Sequence, residues 1–232
     1  MALKKLEEDL LKAKNLQKAK FLARFFKTGK GEYAEGDIFL GITVPIQREI
    51  AKKYTSLSFD DLQKLLFSKI HEQRLVSLLI LISKYKKANE KEKEKIYKFY
   101  LKNAKNINNW DLVDLSSHLI LGDYLLEKDK EILYKLAKSD NLWEKRIAVI
   151  STYYFIKNNC FKECLKISEI LLTDKHDLIH KAVGWMLREI GKKDQKIEEE
   201  FLNKHYKKMP RTMLRYAIER FGEEKRKFYL SK

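Results

Sequence analysis

This chain has little glycine, proline or cysteine for its length. Its 232 residues include 8 glycines, 2 prolines and 2 cysteines. Because turns between strands depend on glycine and proline, this composition disfavours sheets and favours short connections between helices. Cys160 and Cys164 lie one helical turn apart, a spacing at which neither a disulfide along one helix nor a two-thiolate metal site is favoured. We therefore interpret both as ordinary residues of a reducing compartment.

The chain also has no long hydrophobic run. Its longest apolar stretch, Leu75 to Ile82, is interrupted by Ser77 and is too short to span a bilayer. Residues 1–20 are charged and amphipathic, without the apolar segment of an export signal. We therefore expect a cytoplasmic protein without a membrane segment.

What the chain does have is positive charge. It carries 49 Lys and Arg residues against 33 Asp and Glu residues, a net charge of +16. Such an excess indicates a polyanionic partner, either nucleic acid or an acidic membrane surface. Since 44% of the residues are hydrophobic, the composition is that of a folded protein rather than a disordered one.

The first 60 residues show several helix boundaries. Apolar spacing predicts two amphipathic helices joined near Asn15, followed by a loop with three glycines at 27–37. Thr43 is predicted to cap the next helix, with Pro45 in its first turn. Ser58 is predicted to cap the helix after that.

From residue 72 onward, helix beginnings recur at nearly constant intervals. Equivalent positions are spaced 37, 35, 35 and 34 residues apart, and they are Arg74, Asp111, Arg146, Lys181 and Arg215. Second amphipathic helices are predicted between them, at about 90–104, 130–137, 161–172 and 196–206.

A helix pair that repeats at this interval is typical of HEAT or armadillo repeats. Tetratricopeptide repeats have a similar period, but their Trp, Gly-Tyr and Pro positions are absent here. We predict an all-α fold, an α-solenoid of stacked HEAT-like helix pairs with a concave basic surface. The whole chain, 1–232, is predicted to be one repeat domain, with N-terminal helices at about 1–56 and repeats at about 57–232.

Four of the five equivalent positions carry a cation. Stacked repeats would align Arg74, Arg146, Lys181 and Arg215 on one surface, where they could follow a phosphate backbone. For each of them, a structural ion pair within the helix stack is an equally good interpretation. The remaining position, Asp111, interrupts the row of cations with a carboxylate.

Two tryptophans share helix faces with charged residues. Trp110 and Asp114 are four residues apart, and a ring face beside a carboxylate suits a site that receives a positive charge. Trp185 shares a face with Lys181 and Arg188. For both tryptophans, the pattern is compatible with a core position and with a contact surface.

Other residues favour structural roles. Trp143 is expected to fill the core, and Gly184 to let two helices approach closely. His176 and His180 have the spacing of a zinc-binding helix but no evident third ligand, so a surface role is favoured. Asp123 is expected to take part in helix packing or capping.

Four motifs in order identify a family. They are Trp110-Asp111-x-x-Asp114, Leu121-Gly122-Asp123, Ser139-Asp140-Asn141-x-Trp143-x-x-Arg146 and Lys181-Ala182-x-Gly184-Trp185-x-Leu187-Arg188-Glu189. Together they resemble the HEAT-like alkylpurine DNA glycosylases of the AlkD type. The resemblance extends from the segment 39–42 to near Phe221.

The resemblance implies excision of N3- and N7-alkylated purines from duplex DNA, as in base excision repair. By the family pattern, Asp114 is the catalytic carboxylate, Trp110 and Trp185 flank the damaged nucleotide, and Arg146 holds a backbone phosphate. Further backbone contacts are expected from two other cations, Lys181 and Arg188. No metal or organic cofactor, membrane or obligate protein partner is expected, and the protein is expected to be a monomer.

The implied chemistry agrees with the residues. An N3- or N7-alkylpurine is already cationic and leaves without being protonated, so one carboxylate can stabilise the charge that develops on the sugar and orient water. Enzymes that cleave neutral glycosidic bonds commonly need two carboxylates. The alternatives are a non-catalytic HEAT-like protein that binds DNA structures and a scaffold for an acidic protein partner.

Overall fold

A computed structural model describes residues 2–231 and confirms the all-α fold. Within this range the only β-type pairing is one isolated bridge between Ile38 and Ile70. None of the helices in the described range has both the length and the apolar character needed to cross a membrane. The chain divides into two compact units, residues 1–112 and 113–232. The solenoid and its concave surface concern the arrangement of the whole chain and stay predictions, as does the single repeat domain.

The first unit contains the N-terminal helices and the first of the predicted repeats. Its helices are α1 (Ala2–Lys12), α2 (Leu16–Phe25), α3 (Val44–Lys53), α4 (Phe59–Leu66), α5 (His71–Lys87) and α6 (Glu90–Lys102), and α7 (Trp110–Ser117) begins here. Asn15 and Ser58 accept hydrogen bonds from the backbone of α2 and α4, so both act as caps. Thr43 occupies the cap position of α3, with Pro45 in the first turn, but its side chain makes no capping hydrogen bond.

A buried carboxylate ties the loop before α3 to α5. Glu72 is 0% exposed, and its two oxygens accept hydrogen bonds from the backbone N–H groups of Leu40, Gly41 and Ile42 at 2.9, 2.8 and 3.2 Å. Gly41 has φ +83° and lies against the backbone of Asn15, so a side chain at this position would be both strained and obstructed. The loop is therefore held in one conformation beside the N-terminus of α2.

The second unit contains the later helix pairs. After α7 come a π-helical turn (His118–Gly122) and the helices α8 (Asp123–Leu125), α9 (Glu131–Ala137), α10 (Leu142–Lys157), α11 (Lys162–Ile170), α12 (Asp177–Gly191), α13 (Gln195–His205), α14 (Arg211–Ala217) and α15 (Glu223–Leu230). The helices predicted from the repeat begin and end within about two residues of these bounds, so their positions are confirmed.

Gly184 brings two helices of this unit together, as predicted. A Cβ atom at this position would lie 2.4 Å from the carbonyl oxygen of Met213 and 2.5 Å from Cβ of Tyr216, both on α14. Only a residue without a side chain allows this approach of α12 to α14. The same packing buries Met186 and Leu214 completely.

We predict that Gly184→Ala destabilises the protein by about 1–3 kcal/mol, because the added methyl group forces two packed helices apart. The measurement is the free energy of unfolding in urea. Gly222→Ala is the matched control, since a Cβ atom there meets nothing within 4 Å, and it should change stability by less than about 1 kcal/mol. Equal effects of the two substitutions would contradict the close packing at Gly184.

Candidate functional site

The residues that the sequence singled out fall into both units, and each group is described within its own unit. Asn109 is fully buried, and its side-chain oxygen accepts a hydrogen bond from the backbone N–H of Trp110 at 2.8 Å, where α7 begins. Trp110 and Asp111 belong to the first unit and Asp114 to the second.

Trp110 is half-buried in a stack of aromatic rings. Its ring lies nearly parallel to that of Phe26, with 5.2 Å between centroids, and meets the ring of Phe25 edge-on at 6.0 Å. Phe26 stacks in turn on Phe39 at 5.0 Å. The indole N–H of Trp110 donates to the hydroxyl of Tyr33 at 3.3 Å. Trp110 is thus an oriented ring, held on one side by aromatic packing and along its edge by a hydrogen bond.

A buried charge network lies beneath this stack. His71 Nε2 is 2.7 Å from a carboxylate oxygen of Asp111, and His71 Nδ1 is 3.7 Å from Asp37. Burial alone lowers the pKa of His71, but the two carboxylates outweigh burial and raise that pKa above its ordinary value. Burial raises the pKa of Asp37, yet His71 and Arg74 outweigh it and lower that pKa overall.

Arg74, the first cation of the predicted row, belongs to this network. It is 3% exposed and donates to Asp37 at 2.5 Å and to the carbonyl oxygen of Ser68 at 2.8 Å. Of the two interpretations open for Arg74, the structure favours the structural ion pair. Periodicity could not reveal this, because Asp37 lies 37 residues away in a loop.

In the second unit, Asp114 is held by Arg146. The guanidinium group of Arg146 donates through Nε and Nη2 to the two oxygens of Asp114, at 2.9 and 2.8 Å. This two-pronged geometry fixes the plane of the carboxylate. The side chain of Arg146 is 6% exposed, whereas that of Asp114 retains 17%. The side chain of Asp114 is therefore partly accessible to solvent, while Arg146 fixes its position.

The helix that carries Arg146 is anchored at its start. Asn141 caps α10 by accepting from the backbone N–H groups of Trp143 and Glu144, at 2.9 and 3.2 Å. Trp143 is 6% exposed, which confirms its expected place in the core. A third hydrogen bond, from Arg146 Nη1 to the carbonyl oxygen of Leu178 at 2.5 Å, completes the support of the guanidinium group.

Trp185 is half-buried on α12 and oriented by polar and aromatic contacts. Its indole N–H donates to Glu189 at 3.0 Å, and Glu189 also pairs with Lys192 at 2.6 Å. Its ring centroid lies 5.7 Å from that of Tyr153. Like Trp110 in the first unit, Trp185 is a fixed ring with part of its surface exposed.

The other expected backbone-binding cations differ in exposure. Lys181 has a side chain that is 40% exposed and pairs with Asp177 at 2.7 Å, on the same helix. Arg188 is 18% exposed and is held by Glu219, with Glu189 3.8 Å away. Lys181 is therefore the more accessible of the two to a phosphate group.

One residue that the sequence did not assign to the site, Tyr153, contacts Trp185, and a second, His118, contacts Tyr153. The ring of His118 meets that of Tyr153 edge-on at 5.3 Å, and Tyr153 contacts Trp185. Burial and then the charge of Lys157 lower the pKa of His118 to about 4, so its ring is neutral at neutral pH. His118 follows Asp114 by four residues, and this helical spacing is the feature of the sequence that could have placed His118 near the site. Tyr153 follows Arg146 by seven residues, and nothing else in the sequence marks it.

The remaining candidates have structural partners. His176 caps α12 by accepting from the backbone N–H of Leu178 at 3.1 Å, and His180 Nε2 lies 2.5 Å from the carbonyl oxygen of Asp174. Asp123 hydrogen-bonds Tyr154, which is the packing role expected for it. Among residues 2–231, no three His, Cys, Asp or Glu side chains cluster as a metal site would require.

Comparison with known proteins assigns this arrangement to a family. A family model described as DNA alkylation repair enzyme matches residues 6–221. The chain belongs to the DNA alkylation repair enzyme family. The family expected from the four motifs is therefore confirmed, and membership supports a role in DNA repair.

The fold agrees with this assignment. A solved structure described as a predicted DNA alkylation repair enzyme from Enterococcus faecalis has a TM-score of 0.69 at 16% identity, and the match covers 90% of this chain and 97% of that one. At this identity the similarity establishes the fold alone. No curated protein matches the sequence.

We predict that His71 makes the stability of this family member depend on pH. Because its pKa is raised in the folded state, its stabilisation is fully present below about pH 6.5, the ordinary histidine value, and is lost as pH rises through the folded-state pKa. The measurement is the free energy of unfolding of wild type and of His71→Gln from pH 5.5 to pH 9. The advantage of wild type over the variant should shrink as pH rises. A constant or growing advantage would show that His71 does not gain a proton on folding.

Proposed function

We propose that the protein is a DNA glycosylase that hydrolyses the N-glycosidic bond of positively charged N3- and N7-alkylated purines. The observation that carries this proposal is the carboxylate of Asp114, which Arg146 holds through both oxygens on a side chain that stays 17% exposed. A carboxylate whose position is set before the reaction stabilises developing positive charge without reorganising. Membership of the DNA alkylation repair enzyme family supports alkylated DNA as the substrate, and the N3- and N7-alkylated purines are part of the proposal.

The chemistry then needs one carboxylate. When the bond between the alkylated purine and C1′ breaks, its electron pair moves to the purine ring, and the base departs as a neutral molecule. Positive charge develops on C1′ and the ring oxygen of the deoxyribose, where Asp114 stabilises it. A water molecule adds to C1′ and loses a proton, which leaves an abasic site. Asp114 can orient this water through a carboxylate lone pair.

In this proposal Arg146 has a positioning role as well as the expected contact with a phosphate. Its hydrogen bonds to Asp114 and to Leu178 use three of the five N–H groups of a guanidinium, two on Asp114 and one on Leu178. The remaining N–H groups are available to a phosphate oxygen only through the small exposed part of the side chain. The contact to Asp114 therefore precedes any contact to DNA.

The two tryptophans are proposed to contact the damaged nucleotide. Each has a hydrogen-bonded indole N–H and a part-exposed ring, Trp110 through Tyr33 and Trp185 through Glu189. Ring faces attract a cationic purine more strongly than a neutral one, which favours alkylated over normal bases. A non-catalytic DNA-binding protein of this fold would not require the fixed carboxylate.

We predict that Asp114→Asn slows release of N7-methylguanine from a duplex by about 10²- to 10³-fold, because the variant loses the charge that stabilises the transition state. The measurement is single-turnover base release, with duplex affinity measured in parallel. Affinity should remain close to that of wild type, since the substitution removes no cation.

Glu200→Gln is the matched control, because it also removes one negative charge in the second unit but from an exposed position on α13. It should release base at the wild-type rate. If wild type binds the duplex but frees neither N7-methylguanine nor N3-methyladenine, the glycosylase proposal is wrong and the non-catalytic alternative stands.

A second prediction concerns Lys181. If this side chain contacts a phosphate, Lys181→Ala should lower the slope of log affinity against log salt by about 1, because one fewer counterion is released. The measurement is duplex binding by fluorescence anisotropy between 50 and 200 mM salt. Lys166→Ala, at an exposed position on α11, is the control and should leave the slope unchanged. An equal slope for Lys181→Ala and wild type would remove Lys181 from the DNA-binding surface.

A further inference from the structure

Helix α2 exposes an unusual amount of apolar surface. It contains no fully buried residue, and the side chains of Leu16, Phe21 and Phe25 are 66%, 66% and 53% exposed. Phe21 and Phe25 are four residues apart, and their rings are nearly parallel, with 6.1 Å between centroids. Large exposed apolar groups that lie together mark a contact surface rather than ordinary surface variation.

The chain segment that carries these rings has charged residues of one sign only. Residues 10–31 contain seven Lys or Arg residues and no Asp or Glu. Three of these cations, Lys18, Lys20 and Arg24, lie on α2 and are exposed. In the part of the chain that the structure describes, none of the three pairs with a carboxylate. The surface therefore combines exposed rings with unneutralised positive charge.

An apolar groove runs beside the helix. Its volume is about 370 Å³, within the range of small-molecule sites. The apolar side chains that line it include Phe21, Leu22, Phe25, Phe26, Phe39 and Val44. Lys18 lies at the same groove. Glu72, His71 and Asp111, each already hydrogen-bonded within the protein, also line the groove, which otherwise consists mainly of rings and aliphatic groups.

We propose that α2 and this groove form a stacking surface for an unpaired nucleobase of DNA, with Phe21 and Phe25 against the base and Lys18, Lys20 and Arg24 on the flanking phosphates. Aromatic rings interleaved with cations are the combination by which proteins bind single-stranded nucleic acid, because every base has a flat apolar face and every linkage a negative charge. The proposal rests on the DNA-binding part of the proposed function but not on its chemistry.

One observation favours DNA over an anionic membrane as the occupant. Phe25 contacts Trp110 edge-on, so the surface adjoins a ring already proposed to face the damaged nucleotide.

The test uses a duplex that carries one unpaired 2-aminopurine, whose fluorescence falls when the base stacks on a ring. Wild type should quench this fluorescence and bind the duplex more tightly than a fully paired one. Phe21→Ala should lower affinity for the unpaired-base duplex about tenfold and abolish the quenching, while binding to the paired duplex changes little. Phe21→Trp should retain both properties, and Phe21→Leu should retain neither.

Phe67→Ala is the matched control, because Phe67 is 59% exposed in the same unit but lies outside the basic segment. It should behave as wild type. Phe21 is largely exposed, so Phe21→Ala should fold normally, which circular dichroism can check. The proposal would be overturned if Phe21→Ala bound the unpaired-base duplex and quenched its fluorescence as wild type does. The proposal would also be overturned if Phe21→Ala lost binding to phosphatidylglycerol vesicles while its DNA binding stayed unchanged. That result would assign the surface to a membrane.

The proposal can fail separately from the glycosylase function. If Phe21→Ala loses stacking but still releases N7-methylguanine from a paired duplex at the wild-type rate, both proposals stand. If wild type stacks the unpaired base but releases no alkylated purine, the stacking surface stands and the glycosylase function fails.

Discussion

The pairing of Asp114 with Arg146 is the interaction on which the candidate site depends. Loss of either partner of a fully buried pair costs about 3–5 kcal/mol, because the other charge is left uncompensated. Asp114 keeps 17% of its side chain exposed, so the loss of a partner costs less here. Such a loss would still release the remaining side chain from its fixed position. The guanidinium fork fixes the carboxylate plane, and the capped start of α10 fixes the guanidinium group. A reaction that develops positive charge needs a negative group that is already in place, and this pair provides one.

The same rule governs the buried charges of the first unit. Arg74 and His71 are almost completely buried, and carboxylates from a loop and from α7 compensate both. The buried Arg74 therefore adds little to the net charge of +16, in which histidine counts as neutral, that a partner would meet. Exposed cations supply it instead, and those on α2 are accompanied by exposed rings. Positive charge thus serves two purposes in this chain: inside it orients carboxylates, and outside it is available to a polyanion.

The success of sequence-based prediction differed between kinds of feature. The caps at Asn15 and Ser58, the close approach at Gly184 and the burial of Trp143 followed from residue type and helical spacing, and the structure confirms them. The four motifs gave the family, which the match over residues 6–221 confirms. The row of cations was a weaker inference, because equivalent repeat positions were treated as equally exposed. Arg74 and Arg146 are buried, whereas Lys181 is partly exposed and Arg215 exposed.

The sequence by itself determined the helices, their order and the family, because caps, apolar spacing and glycine positions act over a few residues and are visible in any window of the chain. Only the tertiary structure decided which charges face one another. Asp114 and Arg146 are 32 residues apart, His71 and Asp111 are 40 apart, and Tyr153 meets Trp185 from a different helix. Such pairs depend on how helices pack, since burial removes the solvent that would otherwise screen each charge, and this energy has no local signature in the sequence.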